Sequence, residues 1–193
     1  MAYRLSVFLN ERGQASIPLP RDGYGNLEIL LKKMPACFSH VYAAKYAGLG
    51  TIGFSHNLIS AQYGPRVRYV SLFTAAKIAG SRVVEKDLCK GCGFCGRLCP
   101  AHALQAHPGQ IIADFDAQAC TVYHQQLVAE NRFPCGVCVK VCPIGEDRKL
   151  YQRIGVADYL RERKAIAENP ADPDYRHLVH LRTHGSDGDG SKY

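Results

Sequence analysis

The spacing of apolar and polar positions gives the first part of the chain the pattern of short helices and strands. Up to about residue 84, apolar residues recur at helical or alternating intervals and are interrupted by glycine and proline. In chain order, the pattern predicts a helix at 2–12, a strand at 14–17, helices at 26–34 and 40–47, and a strand at 67–73. We therefore expect residues 1–84 to form an α/β region.

Residues 85–145 have a different pattern, in which short segments lie between cysteines and are bounded by glycine and proline. This spacing predicts little regular structure. Because such a segment buries too little apolar surface to fold alone, bound metal would supply much of its folding free energy. Apolar residues return at helical spacing from 146 to 168, followed by a Gly-, Ser- and Asp-rich end. We expect 146–193 to form a C-terminal helix and a flexible tail.

Composition is that of a folded protein, since 193 residues with 47% hydrophobic content suffice for one compact domain or two small ones. The first residues lack the charged start, apolar stretch and cleavage site of a secretory signal. No apolar run approaches the roughly 20 residues that cross a bilayer. We therefore expect a cytoplasmic protein without membrane contact, in which cysteines bind metal rather than form disulfides.

The formal net charge is +7, and residues 29–84 contain several Lys and Arg but no Asp or Glu. Such a segment would attract an anionic cofactor, an acidic redox partner or nucleic acid, and a solvated basic face is an equal alternative. Nucleic acid is the least favoured of these, because the chain lacks a motif that interleaves basic and aromatic residues.

The strongest motif is the run Cys89-x2-Cys92-x2-Cys95-x3-Cys99, followed by Pro100. In bacterial two-cluster ferredoxins, three thiolates of such a run bind one [4Fe-4S] cluster and the fourth binds the other cluster. The intervening glycines let backbone N–H groups approach the sulfurs. A structural zinc site is the alternative, but zinc sites commonly use paired Cys-x2-Cys arms without a third cysteine at the same step.

A second run, Cys135-x2-Cys138-x3-Cys142, repeats the end of the first, but Arg132 stands where its first cysteine would be. Cys120 is the available replacement and brings the number of candidate ligands to eight. By the ferredoxin pattern we predict two [4Fe-4S] clusters. One would bind Cys89, Cys92, Cys95 and Cys142, and the other Cys99, Cys120, Cys135 and Cys138.

The ninth cysteine, Cys37, has apolar neighbours and is interpreted as a buried thiol, with a ligand or a reactive thiol as the alternatives. Lys90, Arg97 and Lys140 lie between the predicted ligands. Their charge would raise a cluster potential by stabilising the reduced state, or would form a docking surface for a redox partner.

Gly48-x-Gly50-x-x-Gly53 has the spacing of a dinucleotide-binding fingerprint, but it follows a predicted helix, and the first acidic residue after it is Glu85. As a dinucleotide motif it is therefore weak. The wider segment FSHVYAAKYAGLGTIGFSHNLIS, then YGPRVRYVSLFT, then the cysteine framework, resembles the epoxyqueuosine reductase and reductive dehalogenase group. The resemblance extends over about residues 10–145.

This resemblance implies an α+β architecture, with a partial nitroreductase-like α/β region before a ferredoxin-like two-[4Fe-4S] module. In that group the clusters deliver electrons to a base-off cobalamin. By matching position, the residues near the corrin or its nucleotide tail would be His40, Gly48, Gly50, Gly53, Tyr63, Gly64, Pro65 and Arg66. For His40 and His56, ordinary hydrogen-bonded structural histidines are an equal alternative.

Two departures from the group concern the cobalamin region. Members have a longer N-terminal region, so about half of the cobalamin domain is expected to be absent. A truncated paralogue, a gene fragment and a subunit whose site is completed by another chain would each fit this difference. The acidic proton donor that precedes AGLG in epoxyqueuosine reductases has no counterpart, because residues 29–84 contain no acid. Catalytic residues therefore stay unassigned.

Three functions compete at this point. The cysteines favour an iron–sulfur electron-transfer protein or subunit that receives electrons from a donor such as ferredoxin or flavodoxin. The resemblance adds a cobalamin-dependent reductase as the alternative. Charge alone would support a basic nucleic-acid-binding module. We expect weak or no corrinoid binding by the isolated chain, because a corrin needs a largely preformed concave site.

Overall fold

The computed structural model describes residues 1–20, 27–32, 38–129, 134–150, 156, 157, 160, 161, 164, 168 and 169. Its helices are α1 (Ala2–Asn10), α2 (Leu27–Lys32), α3 (His40–Tyr46), α4 (Phe94–Arg97), α5 (Ala117–Ala129), α6 (Val137–Lys140) and α7 (Asp147–Leu150). Its strands are β1 (Ser16–Pro18), β2 (Thr51–Ile52), β3 (Leu58–Ile59), β4 (Leu72–Thr74), β5 (Leu104–Gln105) and β6 (Asp114–Phe115). The architecture is mixed α and β, as expected.

Three antiparallel strand pairs connect these elements: β1 with β4, β2 with β3, and β5 with β6. In the first pair Ile17 lies opposite Phe73. Helix α1 is fastened to this pair because the Ser6 hydroxyl donates to the Ser16 carbonyl at 3.0 Å, and the Ser16 N–H donates to Asn10 Oδ1 at 2.8 Å. The pair therefore forms a small layer with α1 at the start of the chain.

The predicted elements of the first region agree with the structure in type and differ at their ends. The helix predicted at 40–47 is α3, and Ser39 caps it by accepting from the Tyr42 N–H. The helix predicted at 26–34 is α2, although residues 26, 33 and 34 lie outside the described part. The strand predicted at 67–73 is wrong over most of its length, because only 72–74 pair with another strand.

The expectation of little regular structure in 85–145 is wrong at α5, which runs for 13 residues. Only Thr121 and Leu127 of this helix are buried. Its apolar residues do not form one continuous stripe, so the sequence carries no clear helical period there. Helix α5 packs against α2, which explains how a helix without a strong apolar face is stabilised.

The hydrophobic core lies among the cysteines. Cys95, Leu104, Ala113 and Val141 are buried together, and Phe54 from the first region packs against them. The Leu88 N–H also donates to Thr51 Oγ1 at 3.0 Å. Contacts therefore cross the boundary expected at 84/85, and the division into units at 1–84, 85–145 and 146–193 stays a prediction.

Arg66 connects the first region to the last cysteine loop. Its Nε and Nη2 donate to the two carboxylate oxygens of Asp147, each at 2.7 Å, while Nη1 donates to the Cys142 carbonyl at 2.9 Å. Nη2 also donates to the Ile144 carbonyl. A guanidinium that makes four such bonds holds one geometry, because its donors form a rigid fork. The chain around Cys142 is therefore fixed by a residue 76 positions earlier.

A close backbone approach at Gly64 makes this connection possible. Gly64 has φ +53°, and a Cβ there would lie 2.0 Å from the Ile144 carbonyl oxygen. Gly13 has φ +72° but nothing within 4 Å of the same position. The two glycines share the left-handed conformation and differ only in what surrounds them.

Within the part of the chain that the structure describes, the helices are too short or too polar to cross a lipid bilayer.

We expect Gly64→Ala to lower the Tm by about 9 °C and Gly13→Ala by about 3 °C, measured by circular dichroism on anaerobic heating. The Gly13 variant bears only the backbone strain of about 1 kcal/mol, whereas the Gly64 variant must also displace Ile144 at a total of about 3 kcal/mol. Equal losses in the two variants would show that the close approach does not matter.

We expect Asp147→Asn to destabilise the protein by about 2–3 kcal/mol and to speed iron release to a chelator. Asp147 is 7% and Arg66 17% exposed, so the change leaves a mostly buried guanidinium without its counter-charge. The matched control is Asp114→Asn, because Asp114 pairs with His107 at the surface and is 68% exposed. That change should stay within about 0.5 kcal/mol of wild type. Similar losses from both would contradict the assigned role of Arg66.

Candidate metal centre

Eight of the nine cysteines belong to the described residues, and each is a free thiol that is buried or half-buried. Cys37 lies outside the described residues, so its interpretation as a buried thiol stays a prediction. Two of the eight precede α4, one lies in it and one follows it: Cys89, Cys92, Cys95 and Cys99. The others lie in α5, before α6, in α6 and after α6: Cys120, Cys135, Cys138 and Cys142.

Helices α4 and α6 begin in the same way. Gly93 directly follows Cys92 and has φ 69°, while Gly136 directly follows Cys135 and has φ 65°. A left-handed residue at this point turns the chain tightly into the helix, and glycine adopts it without a steric penalty. The two Cys-Gly-x-Cys segments therefore place their cysteines in equivalent loops.

The first set of thiols, Cys89, Cys92, Cys95 and Cys142, lines a single cavity together with Phe54 and Ile144. Burial raises the pKa of Cys95 to about 11, and the nearby thiols of Cys92 and Cys142 add to that rise. Burial also raises the pKa of Cys142, which lies within electrostatic range of Cys89 and Cys92. The chain therefore brings Cys142 to three cysteines that lie about 50 residues earlier.

The second set consists of Cys99, Cys120, Cys135 and Cys138. Burial raises the pKa of Cys120 to about 11, and the thiols of Cys138, Cys99 and Cys135 raise it further. Burial likewise raises the pKa of Cys138, with Cys135 and Cys99 as neighbours. Cys120 thus lies on the face of α5 that is turned toward the other three thiols.

The two sets lie next to each other, because Cys138 of the second set also raises the pKa of Cys95 in the first. Deprotonation of these thiols is opposed by burial and by their mutual repulsion. A cationic metal group would reverse both effects and stabilise the thiolates.

Among the described residues, no three His, Cys, Asp or Glu side chains converge closely enough to hold one metal ion. A cubane cluster does not require such convergence, since each of its four thiolates binds a different iron.

The turn between β2 and β3, residues 53–57, contacts both sets of thiols. The Phe54 N–H donates to Cys89 Sγ at 3.5 Å, and Asn57 Nδ2 donates to Cys138 Sγ at 3.7 Å. His56 fixes the outside of the turn, because its Nε2 donates to the Ala113 carbonyl at 2.8 Å. Hydrogen bonds of this kind favour thiolate over thiol at a cluster ligand.

The carbonyl of Cys142 accepts from two guanidinium groups. Arg66 Nη1 donates to it at 2.9 Å and Arg148 Nη2 at 2.6 Å. Arg148 also donates to the Lys140 carbonyl. The nearby charge of Arg66 lowers the pKa of Cys142, in opposition to the larger effect of burial. Arg66 also holds the pKa of Asp147 below its usual value through their hydrogen bonds.

The residues that the resemblance places near a corrin make other contacts. His40 Nε2 donates to the Pro20 carbonyl at 2.8 Å, so its Nδ1 accepts from the Ser71 hydroxyl at 2.8 Å. Arg66 is bound to Asp147 and the Cys142 loop. Pro65 is buried, and Tyr63 is 46% exposed. The polar atoms of His40 and Arg66 are thus already used within the chain.

The glycines of this group are also closely packed. A Cβ at Gly48 would meet the Arg82 carbonyl oxygen at 2.3 Å, and one at Gly50 would meet the Ile59 carbonyl oxygen at 2.1 Å. At Gly53 it would meet the Ile59 side chain at 2.7 Å. The space on the Cβ side of each glycine is thus taken up by the chain itself. The assignment of these residues to cobalamin stays a prediction.

Several residues of the centre were not identified from the sequence, namely Phe54, Asn57, Asp147 and Arg148. They lie up to 81 positions along the chain from the cysteine that they contact, and they belong to no recognisable sequence motif. Arg97, which was singled out, lies over the Phe94 ring at 4.9 Å beside the first set of cysteines.

Comparison with known proteins places iron–sulfur chemistry at this centre. The 4Fe-4S binding domain family matches residues 82–105. The tetrachloroethene reductive dehalogenase of Desulfitobacterium hafniense is 24% identical over 157 residues, which cover 74% of this chain and 26% of that protein. The epoxyqueuosine reductase of Synechocystis sp. (strain ATCC 27184 / PCC 6803 / Kazusa) is 30% identical over 132 residues, covering 60% and 42%.

The fold is also shared with a solved structure. A reductive dehalogenase described in terms of B12-dependent dehalogenation superposes with a TM-score of 0.55 at 21% identity. The match covers 93% of this chain and 25% of that one. The chain thus spans about a quarter of the length of the dehalogenases it matches. Over part of their length, the chain is similar to reductive dehalogenases and epoxyqueuosine reductases, and its residues 82–105 match the 4Fe-4S binding domain family.

Proposed function

We propose that this chain is an electron-transfer protein or subunit that carries two [4Fe-4S] clusters. The observation that carries the proposal is the division of eight half-buried or buried thiols into two neighbouring sets of four. Four cysteines are what one [4Fe-4S] cluster requires. The match to the 4Fe-4S binding domain family supports cluster binding, although it covers only residues 82–105.

The first cluster would bind Cys89, Cys92, Cys95 and Cys142. The cavity that these four residues line supports the assignment, as does the backbone N–H that points to Cys89 Sγ. The second cluster would bind Cys99, Cys120, Cys135 and Cys138, whose thiols are electrostatic neighbours. Cys99 and Cys142 would each cross to the cluster of the other run, as in bacterial ferredoxins.

When bound, such clusters exchange single electrons. The chain would hold the clusters in position, shield them from water and set the charges around them. Cys95 and Cys138 bring the two sets side by side, and the apolar residues Leu104, Ala113 and Val141 exclude water from the region between them. Burial of this kind tunes cluster potential and shields the sulfurs from hydrolysis.

Basic residues near the thiols suggest how electrons would enter. Three basic residues near the cysteines are exposed. Lys90 and Arg97 lie between cysteines of the first run, and Lys140 lies between cysteines of the second. A positive surface at this place favours an acidic donor, because complementary charge speeds encounter. We propose a ferredoxin- or flavodoxin-like donor, with a second subunit as the site of reduction. Salt should slow electron transfer from such a donor.

A cobalamin-dependent reductase is the second candidate, since homologues include a reductive dehalogenase linked to B12-dependent dehalogenation. The contacts of His40, Gly50 and Arg66 do not provide a corrin site in the described residues. The electron-transfer role therefore agrees better with the contacts of this chain.

The purified protein, reconstituted anaerobically, should contain about eight iron and about eight sulfide per chain. We expect Cys120→Ala to lose about half of the iron, because only one cluster loses a ligand. The matched control is Cys37→Ala, which should keep the full iron content. Iron, sulfide and zinc are measured together, and stoichiometric zinc with little iron would overturn the cluster proposal.

Equilibrium dialysis with cob(II)alamin tests the second candidate. We expect weak or no binding by the isolated chain, because the residues expected at a corrin are packed against the chain itself. If a second subunit completes the site, binding should appear on its addition and be lost in Gly50→Val, whose side chain would collide with Ile59. Tight binding by the chain alone would make the reductase the preferred function.

A further inference from the structure

The turn at residues 53–57 is the part of the first region that reaches both sets of thiols. We propose that Asn57 is a positioning residue that donates an N–H···S hydrogen bond to Cys138 and thereby raises the reduction potential of the cluster on that cysteine. The inference rests on the proposed function, because it requires a cluster at the second set of cysteines.

The amide of Asn57 is held in a defined orientation. Nδ2 donates to the Ser55 carbonyl at 3.2 Å and to the Ser55 hydroxyl at 3.0 Å, so both of these acceptors belong to one residue. It also reaches Cys138 Sγ at 3.7 Å, a normal distance for a bond to sulfur. An amide nitrogen has two hydrogens, so one serves Ser55 and the other serves the thiolate.

The hairpin gives this orientation its rigidity. The Gly53 N–H donates to the Asn57 carbonyl at 3.0 Å, and the His56 N–H donates to the Gly53 carbonyl at 3.0 Å. Strands β2 and β3 on either side are buried, with Ile52 paired to Leu58. A donor on such a support loses little conformational entropy when it bonds to sulfur.

The direction of the effect follows from charge. Reduction of a cluster by one electron places more negative charge on its sulfurs, so a hydrogen-bond donor stabilises the reduced state more than the oxidised state. The amide of Asn57, whose Nδ2 lies 3.7 Å from Cys138 Sγ, therefore favours negative charge at this sulfur.

The effect should be confined to one cluster. The other donor of the turn, the backbone N–H of Phe54, points to Cys89 in the first set. A side-chain change at Asn57 leaves that N–H in place. The first cluster is thus an internal reference for the second within the same molecule.

The test is an anaerobic redox titration of the reconstituted protein, followed by electron paramagnetic resonance, with Asn57→Leu compared with wild type. We expect one of two midpoints to become more negative. At a fixed potential the ratio of reduced to oxidised cluster should fall roughly three- to tenfold, the equivalent of one hydrogen bond. Ser55→Ala is the matched control, because it removes a bond within the turn and keeps the amide near Cys138. Because the Ser55 carbonyl still orients the amide, the midpoint of this variant should shift much less than that of Asn57→Leu.

The outcomes separate the inference from the proposed function. If wild type lacks about eight iron per chain, the two-cluster proposal itself fails. If the iron is present and Asn57→Leu moves neither midpoint, or Ser55→Ala moves the same midpoint equally, the role of Asn57 is refuted.

A second measurement covers the case in which Asn57→Leu does not assemble its clusters. Protein labelled with 15N-asparagine is prepared with Asn131→Gln, which removes the asparagine closest in sequence to a ligand. The reduced protein should show hyperfine coupling of one cluster to an asparagine nitrogen. Absence of that coupling would refute the hydrogen bond without any change at Asn57.

Discussion

The structure depends on the electrostatic cost of placing eight thiolates in a small and partly buried volume. Burial and mutual repulsion raise the pKa of Cys95 and Cys120 to about 11, so the bare protein favours neutral thiols. Only a cationic group can make all of them anionic together. We therefore expect folding of this region to be coupled to binding of its metal, and the apolar core around Cys95 lies where that metal is expected.

The first region of the chain holds the cysteine loops in position. The turn at 53–57 places donors beside Cys89 and Cys138, and Arg66 fixes the loop that contains Cys142. The Arg66 guanidinium binds the backbone carbonyl of Cys142 and so fixes the course of the chain there. It does this without binding the Cys142 sulfur. The charge of Arg66 thus has a structural explanation within the chain itself.

Relation to much longer reductases does not by itself transfer their chemistry. The AGLGTIG segment, residues 47–53, directly follows α3 and contains β2, with Gly48 and Gly50 close to Arg82 and Ile59. These glycines allow the backbone of another part of the same chain to approach closely. The chain spans about a quarter of the length of its dehalogenase relatives, so their whole activity does not follow from the similarity.

The sequence by itself indicated the kind of metal centre, because the run Cys89-x2-Cys92-x2-Cys95-x3-Cys99 is a local spacing typical of [4Fe-4S] ligands, with a third cysteine that zinc sites commonly lack. It also identified Cys120 as a candidate ligand and the types of most early elements. Tertiary structure alone decided that α5 is a helix and that Asn57 and Arg66 serve cysteines 81 and 76 positions away. Such contacts depend on chain packing, which leaves no periodic or spacing signal in the sequence.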